Sequence, residues 1–498
     1  MIPINYAQLL QLALPEVIVV ATALIVMALD LLFLRNRPAR TRFTVAAVLA
    51  SLACAAAIVR ILLAPAPANI LDGTLIANPL IHLLQIALLA LTILALLISV
   101  DSTFTQHVGE FVLLILMATA GMMFLVASQD LLVIFISLEL LSLSLYTLAA
   151  FSKRSLQSWE AAIKYYLFGG MSAAFLLLGF SLLYGFSNST SLPAIAAAIH
   201  GPALNPFLAI AIVTTAIGLG FKIAAAPFHF WAPDVYQGAP APTAAFIASA
   251  SKVASFFIFF QIVAIGFAGA AGTATIPHLI RGWIPVLALM AAASMLLGNL
   301  VAIRQTSLRR LLAYSAIAHA GYMLLAIVAH TQQSLAALLY YVFTYALATL
   351  GAFAVIAVVE TQKGSDQISH FDGLSRQAPV LSFSLAIFVL SLAGIPPLAG
   401  FFGKFYLFVT VLGSTPRTAD LLWLVALAIA MSAVSLYYYL RVLKAMYVAP
   451  PTAGAKEFHS PILSQILALV LAAAVILLGC APNLLLHWIQ SAIAASGL

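Results

Sequence analysis

Charged side chains are scarce in this chain: they make up 7% of its 498 residues, while 64% are hydrophobic. An average soluble domain carries roughly 25% charged residues. No soluble fold can hide that much apolar surface, so the chain is expected to live almost entirely in a membrane. Cysteine is nearly missing as well. Cys54 and Cys480 lie far apart inside apolar stretches, which indicates neither a disulfide framework nor a thiolate metal site, and both read as core residues. No metal ligation is expected. The start, MIPINYAQLLQLALPE, lacks a basic region followed by a small-residue cleavage site, so the first span is expected to be retained. There is no P-loop, haem attachment motif, iron–sulfur cysteine set or nucleophile triad. GLGFKI offers Gly218 and Gly220 but places Ile223 where a third glycine belongs. It also sits in an apolar run, so it is no dinucleotide fingerprint. No cofactor is expected on this chain.

What is present is one apolar run after another. A spanning helix needs about 20 mostly apolar residues. Windows bounded by charge, Pro or Gly place spans near 15–34, 43–63, 79–100, 110–128, 131–151, 160–185, 206–230 and 241–267. Six more follow near 276–300, 311–329, 334–359, 379–412, 420–446 and 461–488. The expected fold is an all-α integral membrane protein of about fourteen transmembrane helices.

The net charge of +7 suggests an anionic partner, but the basic residues form no soluble basic domain, and no nucleic acid is expected. Topology accounts for them better, because Lys and Arg accumulate in cytoplasmic loops. One set of alternate loops holds fourteen: Arg35, Arg37, Arg40, Arg42, Lys153, Arg154, Arg304, Arg309, Arg310, Lys363, Arg376, Arg441, Lys444 and Lys456. The opposite set holds Arg60, Arg281 and Arg417. An even number of spans with this bias puts both termini on the non-cytoplasmic face.

Two spans carry helix breakers. In GLGFKIAAAPFHFWAPDVYQGAPAP and LSLAGIPPLAGFFGKFYLF, Pro227 and the pair Pro396 and Pro397 remove backbone donors and clash with the preceding turn. Broken helices at membrane depth are tolerated only where protein or water satisfies the freed groups, so they point to a transport path. The breaks fall in the seventh and twelfth spans, and this odd offset inverts one unit relative to the other. Glu139 to Lys222 and His319 to Lys404 are separated by nearly equal lengths of chain, in imperfect register, since Lys222 precedes its proline and Lys404 follows its own.

The remaining four basic residues, Lys164, Lys222, Lys252 and Lys404, lie within spans. A charge at the centre of a spanning helix costs about 2.5–3.5 kcal/mol on insertion scales. Burial favours the neutral amine and a nearby carboxylate favours the ammonium, so a lysine alternately near to and far from a carboxylate can take up and release a proton. Glu139, the one acidic residue deep inside its apolar run, is the natural counter-charge. Lys222 adjoins a break, and Lys252 sits among Ser249, Ser251 and Ser255, hydroxyls suited to a hydrated pocket or to close packing. Lys404 reads either as a functional group or as an interfacial anchor beside Phe401, Phe402 and Tyr406, and Lys164 carries the same two readings. His319 and His229 are able to donate and accept protons near neutrality, yet a lone histidine in an apolar helix is as often a hydrogen-bonded packing residue.

The segments AAIKYYLFGG, APFHFWAPDVYQGAPAPTAAFIASASK, LLAYSAIAHAGYML, YYVFTYALATLGAFAVI and LSLAGIPPLAGFFGKFYLF together resemble the antiporter-like, proton-pumping subunit N family of respiratory complex I, NADH-quinone oxidoreductase. The resemblance covers about 110–446. It implies two inverted five-helix repeats with discontinuous helices 7 and 12, of the Mrp-antiporter kind, at 110–267 and 268–446. These are preceded by a three-helix segment at 1–109 and followed by a C-terminal helix within 447–498. By motif position Glu139, Lys222, Lys252 and Lys404 resemble the family's glutamate of helix 5 and its lysines of helices 7, 8 and 12. Lys404 favours subunit N over M, which carries a glutamate there. The resemblance further implies a translocase without redox chemistry of its own, with quinone, FMN and iron–sulfur clusters in other subunits. Subunits M, K and J and lipids are the expected neighbours, in a bacterial plasma membrane. A subunit of a stand-alone Mrp-type cation/proton antiporter and a structural membrane scaffold are the alternatives.

Overall fold

The computed structural model describes residues 6–63, 68–70, 73–199, 205–274, 279–414, 421–451 and 458–497; Arg417 and Lys456 lie outside them. Twelve described helices are long and apolar enough to cross a membrane. In chain order with the shorter ones, they are α1 (Leu14–Leu34), α2 (Ala39–Leu62), α3 (Pro79–Ser99), α4 (Val108–Val126), α5 (Leu131–Ala149) and α6 (Leu156–Ser187). Next come α7 (Pro206–Lys222), α8 (Trp231–Gly238), α9 (Ala241–Gly266), α10 (Trp283–Ala302), α11 (Leu308–Ala329) and α12 (Gln332–Lys363). The chain continues with α13 (Pro379–Ala393), α14 (Ala399–Gly413), α15 (Leu422–Tyr447), α16 (Ile462–Cys480) and α17 (Asn483–Ser496). Two short antiparallel hairpins, pairing Ala68–Ile70 with Leu75–Ala77 and Thr273–Ala274 with Leu279–Ile280, edge the bundle.

The helix starts follow from local chemistry. Asn78, Asp130, Ser155, Asn205, Ser307 and Thr331 each accept a hydrogen bond from a backbone N–H of the first turn that follows, satisfying donors that have no intrahelical partner. Pro79, Pro206 and Pro379 open their helices, where a missing N–H costs nothing.

Both expected interruptions are present. The seventh window, 206–230, holds α7 and the gap with Pro227, and α8 follows just beyond it; the twelfth divides into α13 and α14 with the Pro396–Pro397 pair in the gap. Freed backbone groups are met by protein: Trp231 Nε1 donates to the Phe221 carbonyl at 2.9 Å, Ala226 N to Ser294 Oγ at 2.8 Å and Gly400 N to Ser391 Oγ at 3.1 Å. The last expected span, 461–488, is two helices rather than one, parted at Ala481 and Pro482. Cys480 ends α16 and is exposed, so it is not a core residue, whereas Cys54 is buried as expected. Arg42 and Arg309, expected in loops, instead lie in the first turns of α2 and α11 and are buried. Asp30 on α1 takes Arg42 in a two-pronged pair at 2.7 and 2.5 Å and accepts from Gly109 N at 2.9 Å, joining α1, α2 and α4. Glu360 takes Arg309 at 3.1 Å.

Burial sorts the helices into an axis and a periphery. The most apolar windows of α9, α11 and α12 are 100%, 94% and 89% buried, against 22% for α1 and 28% for α16. Lipid supplies no hydrophobic force between helices, so close packing must come from small residues. Gly298 on α10 faces the α11 backbone: a Cβ built there would stand 2.5 Å from Ala318 N and 2.8 Å from the Tyr314 carbonyl oxygen. Gly298→Ala is therefore expected to cost about 1–3 kcal/mol through overpacking, read as a lower melting midpoint of the purified protein. Gly170→Ala, where nothing lies within 4 Å, should leave the midpoint unchanged.

Candidate functional site

The buried charges form a connected series along the axis. Glu139 is half-buried on α5, and one turn further along Ser142 accepts a hydrogen bond from Lys222 Nζ at 2.8 Å. No ion pair within 4.0 Å joins Glu139 to Lys222 among the described residues, so the carboxylate and the ammonium are neighbours across one helical turn rather than a closed pair. Lys222 ends α7. The next carbonyl, Ile223, sits where the helix stops and accepts from Lys252 Nζ at 3.3 Å. Lys252 also donates to the Ala316 carbonyl of α11 at 3.0 Å and lies 5.7 Å from the Tyr345 ring centre. A helix C-terminus carries partial negative charge, and the break places that end in the path of two lysines.

One turn beyond Ala316 is His319, buried on α11. Its Nδ1 lies 2.8 Å from the Tyr341 hydroxyl and its Nε2 3.4 Å from that of Tyr439, which in turn hydrogen-bonds Ser315. The rings of Tyr345 and Tyr322 are centred 5.0 and 5.7 Å away. Tyr322 then leads to Lys404, whose ammonium stands 5.3 Å from its ring centre. A Cβ on Gly403 would meet Tyr341 at 2.7 Å, so α12 and α14 touch beside the lysine. Lys404 Nζ donates to the Leu392 carbonyl at 3.0 Å, the Ala393 carbonyl at 3.1 Å and Ser432 Oγ at 3.0 Å. The two carbonyls end α13, so the second break holds its lysine as the first holds Lys252.

Five of the seven expected residues thus stand in one series: Glu139, Lys222, Lys252, His319 and Lys404. The other two stand apart. Lys164 is partly exposed on α6 and ion-paired to Glu160 at 2.5 Å and Asp234 at 2.7 Å; Asp234 also holds Arg310 at 2.7 Å. That network fastens α8 between α6 and α11. His229 lies in the first gap, stacked on Phe230, and its Nδ1 has no hydrogen-bond partner among the described residues.

Several participants escaped the sequence reading. Tyr341, Tyr345, Tyr439 and Tyr322 surround His319, and Asn299 joins Tyr322 to Tyr438 through two 3.0 Å hydrogen bonds. The signal for all but Tyr322 and Asn299 was the tyrosine clusters in YYVFTY and LYYYL, because a hydroxyl at membrane depth needs a partner. Nor is Glu139 the most buried acid: Glu16 and Asp30 are 1% exposed, both near helix ends where position in the run disguised them.

A polytopic helical bundle with two broken helices, each presenting carbonyls to a buried lysine, defines an antiporter-like membrane protein. The family model described as NADH:quinone oxidoreductase/Mrp antiporter, TM matches residues 128–434, and the chain belongs to that family. The NADH-quinone oxidoreductase subunit N 2 of Acidobacterium capsulatum is 53% identical, covering 98% of this chain and 100% of the relative. The NADH-quinone oxidoreductase subunit N 1 of Roseiflexus castenholzii is 41% identical over 80% of this chain and 76% of its own length. Among solved structures, a chain of Thermus thermophilus respiratory complex I superposes with a TM-score of 0.77 at 32% identity, covering 95% of this chain and 98% of that one. A chain of the Mrp complex of a Dietzia species reaches 0.81 at 20% identity, covering 97% of each, a likeness of fold alone.

Gly394 caps α13 at φ +89°, and a Cβ there would stand 3.1 Å from Lys404 Cδ and 3.4 Å from its Nζ. Gly394→Ala combines a disfavoured backbone with that crowding. It is expected to push the ammonium off the Leu392 and Ala393 carbonyls, seen as displaced Lys404 density in an electron-microscopy map of the assembled complex.

Proposed function

We propose that this chain is the N-type membrane-arm subunit of a proton-translocating NADH:quinone oxidoreductase, and that protons move along the series Glu139, Lys222, Lys252, His319, Lys404. The observation that carries the reading is the continuity of that series: each member shares a helical turn, a carbonyl or an aromatic ring with the next. Full-length similarity to subunit N relatives supports the assignment to the complex. In this reading the interrupted windows count as spans, bringing the total to fourteen. The five helices α4, α5, α6, α7–α8 and α9 form one repeat, and α10, α11, α12, α13–α14 and α15 form the inverted second. Both termini face the periplasm of a bacterial inner membrane, subunits M, K and J are the neighbours, and flavin, iron–sulfur clusters and quinone belong to other subunits.

Quinone reduction elsewhere changes the charge or hydration of a neighbouring subunit at the half-buried flank of Glu139. Altered attraction between Glu139 and Lys222 changes the charge on Lys222. Because Lys222 and Lys252 attach to successive residues of one helix end, a positive charge on the first works against a positive charge on the second, and Lys252 sheds its proton toward His319 and the tyrosine hydroxyls. Lys404 receives it and passes it outward. Each proton rises about 2.3 kcal/mol per 100 mV of opposing potential, a load that one or two buried charge–charge contacts can meet.

In the assembled complex, Lys222→Ala or Glu139→Ala is expected to lower coupled quinone reduction about tenfold if ~1.4 kcal/mol of coupling is lost, and to lower the number of protons moved per electron. An undiminished proton yield in both variants would remove these residues from the path. Lys252→Arg keeps the charge but not the ability to lose it, since arginine hardly deprotonates, so turnover should fall as far as in Lys252→Ala. Turnover equal to that of the parent protein would leave Lys252 a purely electrostatic role.

A further inference from the structure

Outside the lysine series, a second buried titratable group remains unused. Glu16 lies in the first turn of α1 and is 1% exposed. One carboxyl oxygen, Oε1, accepts from Gln85 Nε2 of α3 at 2.6 Å, while Oε2 is sealed from solvent with no hydrogen-bond partner among the described residues. An ionised carboxylate with a bare oxygen in such surroundings is costly, so the group needs either a proton or a further donor. Glu16 and Gln85 line a cavity of about 20 Å³ together with His82 and Arg60, enough for one water molecule and little else. His82 precedes Gln85 by one turn of α3 and is only partly buried. Arg60, on α2, holds the Gln11 carbonyl at 3.2 Å. Among the described residues lining the cavity, His82 and Arg60 are the only other ionisable groups; the Leu75–Ala77 strand and Ala127 add none.

We propose that Glu16, one water molecule in this cavity and His82 form a proton-transfer site at the end of the three-helix segment. The Glu16 O–H bond breaks as the proton passes to the water, and a proton of that water forms the new N–H bond on the His82 ring. Carboxylic acid and neutral imidazole become carboxylate and imidazolium, with no change in net charge. Gln85 Nε2 holds the carboxylate, and the Arg60 guanidinium on the cavity wall repels the imidazolium, which keeps the proton's resting place on Glu16. A sodium ion is a poor occupant, because it would face that guanidinium and a water-sized space with few oxygens. The site stands apart from the Glu139 to Lys404 series and does not depend on that series carrying protons.

The test is infrared difference spectroscopy of the assembled complex in lipid, between acidic and alkaline buffers in H2O and D2O. The expected result is a protonated-carboxyl carbonyl band that shifts in D2O, is lost in Glu16→Gln and moves in Gln85→Leu; in His82→Leu, deuterium exchange at that band slows. A spectrum of Glu16→Gln identical to that of the parent complex overturns the proton on Glu16. An unchanged exchange rate in His82→Leu overturns the transfer. Should Glu16→Gln fail to assemble, the Gln85→Leu spectrum decides, since a band that does not move there is not the Glu16 carboxyl.

Discussion

Everything in the axis of this protein depends on what a buried ammonium is bonded to. Lipid and packed side chains offer it nothing, and a continuous helix offers nothing either, because its carbonyls are already engaged four residues along. A helix that stops inside the bundle leaves its last carbonyls without those partners. Ile223 supplies one such oxygen to Lys252, and Leu392 and Ala393 supply two to Lys404. The breaks and the lysines therefore explain one another: the lysine neutralises the exposed end of the helix, and the helix end makes a charge at that depth affordable.

The surrounding architecture serves that arrangement. Each break needs neighbours close enough to satisfy its other freed groups, hence Ser294 on Ala226 N and Ser391 on Gly400 N. Closeness in turn needs small residues, and Gly121, Gly298 and Gly321 lie against the backbones of adjoining helices. Asp30, Arg42 and Gly109 bind α1 and α2 to α4, while Lys164, Asp234 and Arg310 fasten α8 between α6 and α11. The Lys164–Asp234–Arg310 network is partly exposed near helix ends, which lowers the desolvation penalty of holding charge, whereas the buried Asp30–Arg42 pair relies on its two-pronged geometry and the added Gly109 donor. The series itself contains no closed ion pair among the described residues, which leaves its charges free to change.

Much of this was legible in the chain. A lysine in an apolar run, such as Lys252 in IASASKVASFF, is too expensive to be incidental, and a proline pair in such a run must break a helix. What was not legible is what depends on which helices meet. Tyr341 and Tyr439 read as ordinary aromatic positions until α11, α12 and α15 place both hydroxyls on His319. Arg42 and Arg309 follow the loop-charge pattern in sequence but turn inward, because Asp30 and Glu360 reach them from other helices. Cys480 looked internal because its run is apolar, yet a membrane helix on the periphery is apolar on its outer face too. His319 read equally as a proton carrier or a packing residue, and what the chain alone could not show is the pair of tyrosine hydroxyls at its ring nitrogens.

The three central lysines differ in how firmly protein holds them. An ammonium has three donors. Lys404 places all three, on two carbonyls and a serine; Lys252 places two, on carbonyls of separate helices; Lys222 places one, on Ser142. A hydrogen bond to a charged group contributes about 1.5–3 kcal/mol, so loss of the Lys404 side chain would strip more buried acceptors of their donor than loss of Lys222. The lysine beside the carboxylate is thus the one least tied to other protein groups, and the lysine at the far end is the one most tied to them. The first break offers its carbonyl to Lys252 rather than to Lys222, the residue that ends the helix, so Lys222 is held by Ser142, one turn from Glu139, and not by its own helix end.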